Sequence, residues 1–198
     1  MNKTNSEISK EALEALKGNW PLAIAAYVVY MICAFAIQGV PGIGQVASII
    51  LGGPFALGAA TFSISLSKNK NPDIEQLFIG FKRIPQTLVA YLLTLVYVIL
   101  WSLLLIVPGI IAALSYSMTF YIMAEDETIT GKQAMDKSKG MMKGFKTKLF
   151  MLDLRFLGLA ILCILTLGIG FLWLIPYMQV CMAKFYEDIK GEEIPSYF

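Results

Sequence analysis

Histidine is absent from this sequence of 198 residues. Its absence excludes zinc sites with histidine ligands, Ser/His/Asp triads, Cys/His dyads and proton relays through imidazole. Cysteine is also scarce, since Cys33, Cys163 and Cys181 lie in separate apolar segments and form no Cys-x-x-Cys pair. We therefore expect neither a disulfide framework nor a metal site, and no residue pattern indicates a cofactor.

Charged residues are also scarce. Only 15% of the residues are charged, 57% are hydrophobic and the mean hydropathy is +0.67, which indicates a bilayer as the solvent. A spanning helix needs about 20 apolar residues, so six spans would occupy nearly the whole chain and leave no room for a soluble catalytic domain. Ala34-Phe35-Ala36 resembles a signal-peptide cleavage site, but the acids before the first apolar run favour an uncleaved first helix.

The sequence is rich in long runs of apolar residues. They predict spans at residues 21–39, 43–67, 86–107, 109–124, 149–167 and 170–186. The spans pair through three short turns rich in Pro and Gly: Val40-Pro41-Gly42, Val107-Pro108-Gly109 and Gly168-Ile169-Gly170. The predicted fold is all-α, a polytopic membrane helical bundle of about six transmembrane helices arranged as three tight hairpins.

Polar segments separate the pairs and predict short cytoplasmic amphipathic helices. Asn71-Pro72 is typical of an N-cap followed by proline at the first helical position, and Thr130-x-x-Gln133 of a capping box. The stretch from Ser6 to Lys17 supplies a third such helix. We expect one integral membrane domain over residues 1–198, with units 1–67, 68–124 and 125–198 as architectural repeats.

The lysines and arginines predict the orientation. All sixteen lie in or beside the tails and long connections or, for Arg155, just inside the fifth span, and none lies in a short turn. The positive-inside rule then places both termini in the cytoplasm. Trp20 and Trp173 stand near opposite ends of the spans, where interfacial aromatic anchors are expected.

The second span carries the most distinctive pattern. Small residues recur every four positions, which predicts a face for very close helix packing: Gly44, Ser48, Gly52, Ala56 and Ala60. Gly52-Gly53-Pro54 predicts an interruption and a kink in this span, and Pro176 predicts a comparable one in the sixth. Two interpretations stay open: a transport pathway between the two broken helices, or kinks that serve packing alone.

Asp153 and Arg155 are the only charges that enter a span. Because they are two residues apart, their side chains point about 200° away from each other and need separate partners or must snorkel to the interface. A cytoplasmic lysine is the expected partner of Asp153, and a substrate-binding role is the alternative.

The connection from Glu125 to Lys148 holds six lysines. Its apolar residues have helical spacing, so we expect a helix on the inner leaflet with its lysines among anionic lipid headgroups. Nucleic acid is not an expected partner, because stacking aromatics are not interleaved with the basic residues. Glu125-Asp126-Glu127 admits two interpretations, a divalent-cation site or acids that favour the dipole of the next helix.

Five segments stand out along the chain: Ala15-Leu16-Lys17-Gly18-Asn19-Trp20, Pro108-Gly109-Ile110-Ile111-Ala112, Tyr116-Ser117-Met118, Leu167-Gly168-Ile169-Gly170 and Trp173-Leu174-Ile175-Pro176-Tyr177. Together they resemble a known family of bacterial multi-pass membrane proteins, domain-of-unknown-function family nine hundred and seventy-five. The resemblance covers nearly the full chain. It implies a protein of the bacterial inner membrane, with no established activity, cofactor or catalytic residue.

We therefore expect a non-enzymatic scaffold or accessory protein that binds anionic inner-leaflet lipids, membrane protein partners or a second copy of itself. The alternative is a permease or exporter of small solutes or peptides. An intramembrane enzyme is the third interpretation, and its acid/base candidates are Glu125, Asp126 and Asp153. The candidate functional or packing positions are Gly52, Gly53, Pro54, Asp153, Arg155 and Pro176.

Overall fold

The computed structural model describes residues 3–39, 42 and 44–190. These residues form nine α-helices and one 3₁₀ helix, and no strand occurs among them. In chain order the elements are α1 (Asn5–Leu16), α2 (Trp20–Gln38), α3 (Gly44–Ser67), the 3₁₀ helix (Ile74–Arg83), α4 (Ile84–Leu104), α5 (Ile106–Tyr116), α6 (Thr119–Glu125), α7 (Gly131–Met141), α8 (Lys146–Leu165) and α9 (Phe171–Lys190). The predicted all-α class is confirmed.

Four helical stretches among the described residues are long and apolar enough to cross a membrane: Trp20–Gln38, Gly44–Ser67, Ile74–Leu104 and Ile106–Glu125. They match the first four predicted spans within a few residues, apart from the 3₁₀ helix that precedes α4. Helices α8 and α9 cover the predicted fifth and sixth spans but carry more charged residues. The chain therefore has several apolar helices suited to a membrane.

Helix α3 lies at the centre, and glycines let its neighbours approach it closely. A Cβ atom added at Gly58 would lie 1.8 Å from the carbonyl oxygen of Leu77, and one added at Gly80 would lie 2.0 Å from that of Pro54. The 3₁₀ helix thus packs backbone to backbone against α3. Gly53 makes a similar approach to α4, where an added Cβ would meet the Thr87 carbonyl oxygen at 2.4 Å.

The reversal between α4 and α5 differs from the predicted turn Val107-Pro108-Gly109. Leu105 is the extended residue between the two helices, so Pro108 lies inside the first turn of α5. Proline is tolerated there because the first N–H groups of a helix have no intrahelical acceptor. Gly109 instead packs against Ser102, whose Oγ would lie 2.1 Å from an added Cβ.

The other two predicted turns have different outcomes. Val40-Pro41-Gly42 lies outside the described residues except for Gly42, whose φ of +78° is in the region that favours glycine. The reversal between α8 and α9 occurs at residues 166–170, as predicted, with Leu167 and Gly168 both at positive φ.

The predicted fourth span is not one continuous helix, because it breaks between α5 and α6 at Ser117 and Met118. Ser138 of α7 compensates for this break. Its fully buried hydroxyl accepts a hydrogen bond from the Met118 N–H at 3.2 Å and donates one to the Ser115 carbonyl at 2.9 Å. A side chain from another helix therefore pairs backbone groups that would otherwise cost free energy in an apolar setting.

Helix starts follow sequence signals closely, with one exception. Capping boxes form at Thr4 with Glu7 and at Thr130 with Gln133. The predicted cap at Asn71-Pro72 is wrong, because the Asp73 side chain accepts the Glu75 N–H and the 3₁₀ helix begins at Ile74. Asn71 itself has a positive φ of 42°, which places it in the turn before the helix.

Glu125 is the centre of an ion-pair cluster that joins the ends of α3, α6 and α9. Lys68 Nζ lies 2.6 Å from Glu125 Oε1, the Tyr186 hydroxyl donates to Oε2 at 2.8 Å, and Lys190 contacts the same oxygen. On α9, Asp188 is paired with Lys148 of α8 at 2.7 Å. These pairs link four helices, α3, α6, α8 and α9, at the end of the bundle that carries most of the charge.

Helix α7 packs against protein on the face that was expected to contact lipid. Met135 and Ser138 are buried, while Lys132, Lys137 and Lys139 remain exposed on the other side. The predicted amphipathic helix thus forms, but its apolar face contacts α4, α5 and α6.

The contact of α3 with the 3₁₀ helix yields a test of the fold. Gly58→Ala should lower the free energy of unfolding by about 1–3 kcal/mol, because the added methyl group meets a backbone carbonyl rather than a flexible side chain. The measurement is the midpoint of thermal unfolding in a mild detergent, followed by circular dichroism.

Gly158→Ala in α8 is the matched control for this substitution. An added Cβ at Gly158 has no neighbour within 4 Å, so this variant should be as stable as the parent or more stable. Equal midpoints for the two variants would contradict the close backbone contact at Gly58.

Candidate functional site

A cavity of about 360 Å³ lies between four helices of the bundle. We call it the central cavity. Helix α2 contributes one wall, α3 a second, the α5–α6 junction with α6 a third, and α9 the fourth. The lining residues are Tyr27, Tyr30, Met31, Ala56, Ala59, Ala60, Ser117, Phe120, Tyr121, Ile175, Gln179 and Met182.

Small side chains on α3 leave this space open. Ala56, Ala59 and Ala60 face the cavity, and they follow directly after Gly53 and Pro54 in the sequence. The opposite wall on α9 has Ile175 next to Pro176. The central cavity therefore lies between the two helices that carry internal prolines, which are the pair that sequence reasoning singled out.

The polar groups of the cavity are neutral. The Tyr121 hydroxyl donates a hydrogen bond to Gln179 Oε1 at 3.3 Å, and Ser117 donates to the Leu114 carbonyl within its own turn. Beside the cavity, the buried hydroxyls of Tyr27 and Ser63 lie 2.8 Å apart. None of the described lining residues is charged, and the polar groups that line the cavity are hydroxyls and one amide.

The glycines named from the sequence pack against α4, and the two prolines are buried within their helices. Gly52 lies against Tyr91 of α4, whose ring carbon would be 2.7 Å from an added Cβ, and Gly53 lies against Thr87. Pro54 and Pro176 are buried within α3 and α9, and both helices continue through them. The expected interruption at Gly52-Gly53-Pro54 is thus not a break in the helix.

Asp153 and Arg155 lie away from the central cavity, on the exposed side of α8. Arg155 Nη1 donates to Ser9 Oγ of α1 at 3.3 Å. Over the ranges 3–39, 42 and 44–190, Asp153 forms no ion pair, so the expected pairing with a cytoplasmic lysine is not found there. Lys148, the nearest lysine of α8, pairs instead with Asp188.

Two of the three acids considered for catalysis, Glu125 and Asp126, have separate sets of partners. Glu125 is engaged by Lys68 and Lys190, while hydrogen bonds from the Thr128 side chain and N–H lower the pKa of Asp126. In the part of the chain that is described, no group of three His, Cys, Asp or Glu residues could hold a metal ion. Glu125 is an ion-pair hub here, a role that sequence reasoning did not assign to it.

Gln179, Tyr121 and Ser138 were missed by sequence reasoning. Gln179 had a usable signal, because an amide within an apolar spanning run is uncommon and usually faces the protein interior. Tyr121 and Ser138 had no such signal. Their roles depend on how α6, α7 and α9 pack, which the local sequence does not specify.

The profile of the family described as protein of unknown function (DUF975) matches residues 1–115 and 103–193, nearly the whole chain. No curated protein and no solved structure gives a significant match. On the strength of the profile match, the chain belongs to the DUF975 family, as the sequence resemblance implied.

Proposed function

We propose that this chain is a six-span protein of the bacterial cell membrane with both termini in the cytoplasm, and that it acts without catalysis as a scaffold or accessory protein. Its ligands are membrane lipids and membrane protein partners. Family membership and the four long apolar helices support the membrane location. The one-sided distribution of lysine and arginine supports the orientation.

Helices α8 and α9 supply the fifth and sixth spans in this proposal. Large apolar side chains on α8 are exposed along its length, including Leu157, Ile161 and Leu165. The reversal that follows exposes Leu167 by 94%. Such a surface is unfavourable in water and favourable in lipid, since each large apolar side chain is worth about 1.5–3 kcal/mol on burial.

The exposed face of α4 is the observation that supports a scaffold. In the most apolar 18-residue stretch of Ile74–Leu104, only 11% of the residues are buried, whereas 61% are buried in the corresponding stretch of α3. Val89, Leu92, Val96, Leu100 and Leu103 are exposed at helical spacing and form one continuous stripe, which we call the α4 stripe. A partner helix can pack along this stripe without disturbing the bundle.

The proposed orientation can be measured with single cysteines in a cysteine-free background. An impermeant maleimide applied to intact cells should label Leu105→Cys and Ile169→Cys, which lie in reversals between helices, but not Lys139→Cys on α7. Lys139→Cys should react only after permeabilisation. Labelling of Lys139→Cys in intact cells would reverse the proposed orientation, and failure of both turn positions to react would contradict six complete spans.

A scaffold role predicts a defined neighbour along the α4 stripe. A photoreactive amino acid at Val96 should give one discrete protein adduct after illumination of native membranes, identified by its mass. The same residue at Ile161 of α8 is the control, because Ile161 is exposed to a similar degree. If neither position forms a protein adduct, or both form the same diffuse set, the α4 stripe is a lipid-facing surface only.

The central cavity supports a second candidate function, a permease or exporter of uncharged small solutes. Its volume of about 360 Å³ falls in the range of small-molecule sites. Its position between α3 and α9 agrees with a pathway between two proline-containing helices. The neutral lining disfavours coupling to protons or sodium.

A permease predicts that narrowing the cavity stops flux. In proteoliposomes loaded with a panel of small uncharged solutes, Ala60→Leu should reduce release to the level of protein-free vesicles, because the larger side chain fills the cavity. Ala113→Leu on the exposed side of α5 is the matched control and should leave flux unchanged. Absence of flux from the parent protein, or equal flux from both variants, counts against transport.

A further inference from the structure

A second concave surface opens on the outside of the bundle, between α8, α9 and the start of α2. This lateral groove has a volume of about 340 Å³ and is separate from the central cavity. Its exposed lining is wholly apolar. The lining residues are Leu13, Trp20, Leu159, Leu162, Cys163, Thr166, Gly170, Trp173, Leu174 and Tyr177.

Trp20 and Trp173 line the same groove, which the sequence had not indicated. Trp20 and Trp173 were expected as separate anchors at opposite membrane interfaces. Leu13, which is 44% exposed on α1, also lines the groove. The three residues belong to helices α1, α2 and α9, so the groove is formed only by the folded chain.

Arg155 stands at one end of the lateral groove. On α8, Arg155, Leu159, Leu162 and Thr166 recur at helical spacing and therefore form a single stripe. The guanidinium is one turn, about 6 Å, before the first groove residue and towards the end of α8 that carries lysines. Its contact Ser9 neighbours the groove residue Tyr177.

Most N–H donors of the Arg155 guanidinium make no hydrogen bond to the described residues. Within the described ranges, Arg155 makes one hydrogen bond, from Nη1 to Ser9 Oγ, and no ion pair. A guanidinium carries five N–H donors in a planar arrangement that matches phosphate geometry. Asp153 does not neutralise it, because two residues along a helix place their side chains about 200° apart.

We infer that the lateral groove binds one acyl chain of an anionic phospholipid whose headgroup phosphate is held by Arg155. An apolar slot that opens to the outside suits a hydrocarbon chain, and a positive charge at its polar end suits the phosphate. A soluble anion would leave the apolar lining unfilled, so a lipid is the occupant that matches both parts. The inference rests on the proposed membrane location and is independent of the scaffold role.

The intrinsic tryptophans provide the test. Trp101 on α4 is removed by Trp101→Phe, so that fluorescence comes from the two groove tryptophans. The protein is placed in phosphatidylcholine vesicles that contain, as a minor component, either phosphatidylglycerol or phosphatidylcholine with brominated acyl chains. Bromine quenches tryptophan only on contact, so quenching reports which lipid occupies the groove.

We expect brominated phosphatidylglycerol to occupy the groove about fivefold more than brominated phosphatidylcholine at the same mole fraction, the preference that one basic residue gives near anionic lipid. Arg155→Gln should abolish this preference, and Arg155→Lys should retain part of it. Lys139→Gln removes an equivalent charge from the exposed face of α7 and should leave the preference unchanged.

A complementary variant, Trp20→Phe with Trp173→Phe, leaves only Trp101 and should be quenched equally by the two brominated lipids. Equal quenching of the groove tryptophans by both lipids would overturn the inference, as would an unchanged preference in Arg155→Gln. An equal loss in Lys139→Gln would show general charge attraction instead of a site. None of these results bears on the cysteine labelling, so a failed lipid site and a wrong orientation are distinguishable.

Discussion

The close approach of neighbouring backbones to helix α3 is the constraint on which the remaining structure depends. Gly58 and Gly80 bring the 3₁₀ helix into contact with α3, and Gly52 and Gly53 do the same for α4. In an apolar solvent helices gain little from hydrophobic burial against each other, so close van der Waals contact has to supply the association. The remaining face of α3, with its alanines, then meets α6 and α9 and leaves the central cavity.

A second consequence of the apolar setting is that buried backbone N–H and carbonyl groups need hydrogen-bond partners within the protein. The α5–α6 break would leave unpaired N–H and carbonyl groups, and the Ser138 hydroxyl pairs one of each. Near the end of α6, the Arg83 guanidinium pairs two further backbone groups: it donates to the carbonyls of Met123 and Ile129, each at 2.9 Å. Both contacts come from outside the segment that needs them, so the interhelical connections act as part of the bundle.

The sequence predicted those features that depend on local chemistry. The long apolar runs located the helices, and the capping box at Thr130 marked the start of α7 correctly. Errors arose where a competing local signal was stronger than the one chosen. Pro108 was taken as a turn residue although the first turn of a helix accepts proline, and Asp73 provided a better cap than Asn71.

Features that depend on packing could not be predicted in the same way. The stripe from Gly44 to Ala60 indicated a close contact, yet nothing local identified α4 as the neighbour of Gly52. The 3₁₀ helix approaches Gly58, which is outside that stripe. The pairing of Glu125 with Lys68 and Lys190 joins residues far apart in the chain, as does the meeting of Trp20 with Trp173. Such pairs can be identified only when the positions of the helices relative to one another are known.

Helix α9 connects the two concave surfaces. Ile175, Gln179 and Met182 face the central cavity, whereas Trp173 and Tyr177 face the lateral groove, so one helix separates the two spaces. Pro176 lies at this partition, and because proline has no N–H the helix lacks one hydrogen bond there. The central cavity and the lateral groove thus lie on opposite faces of one turn of α9, the turn that lacks a backbone hydrogen bond.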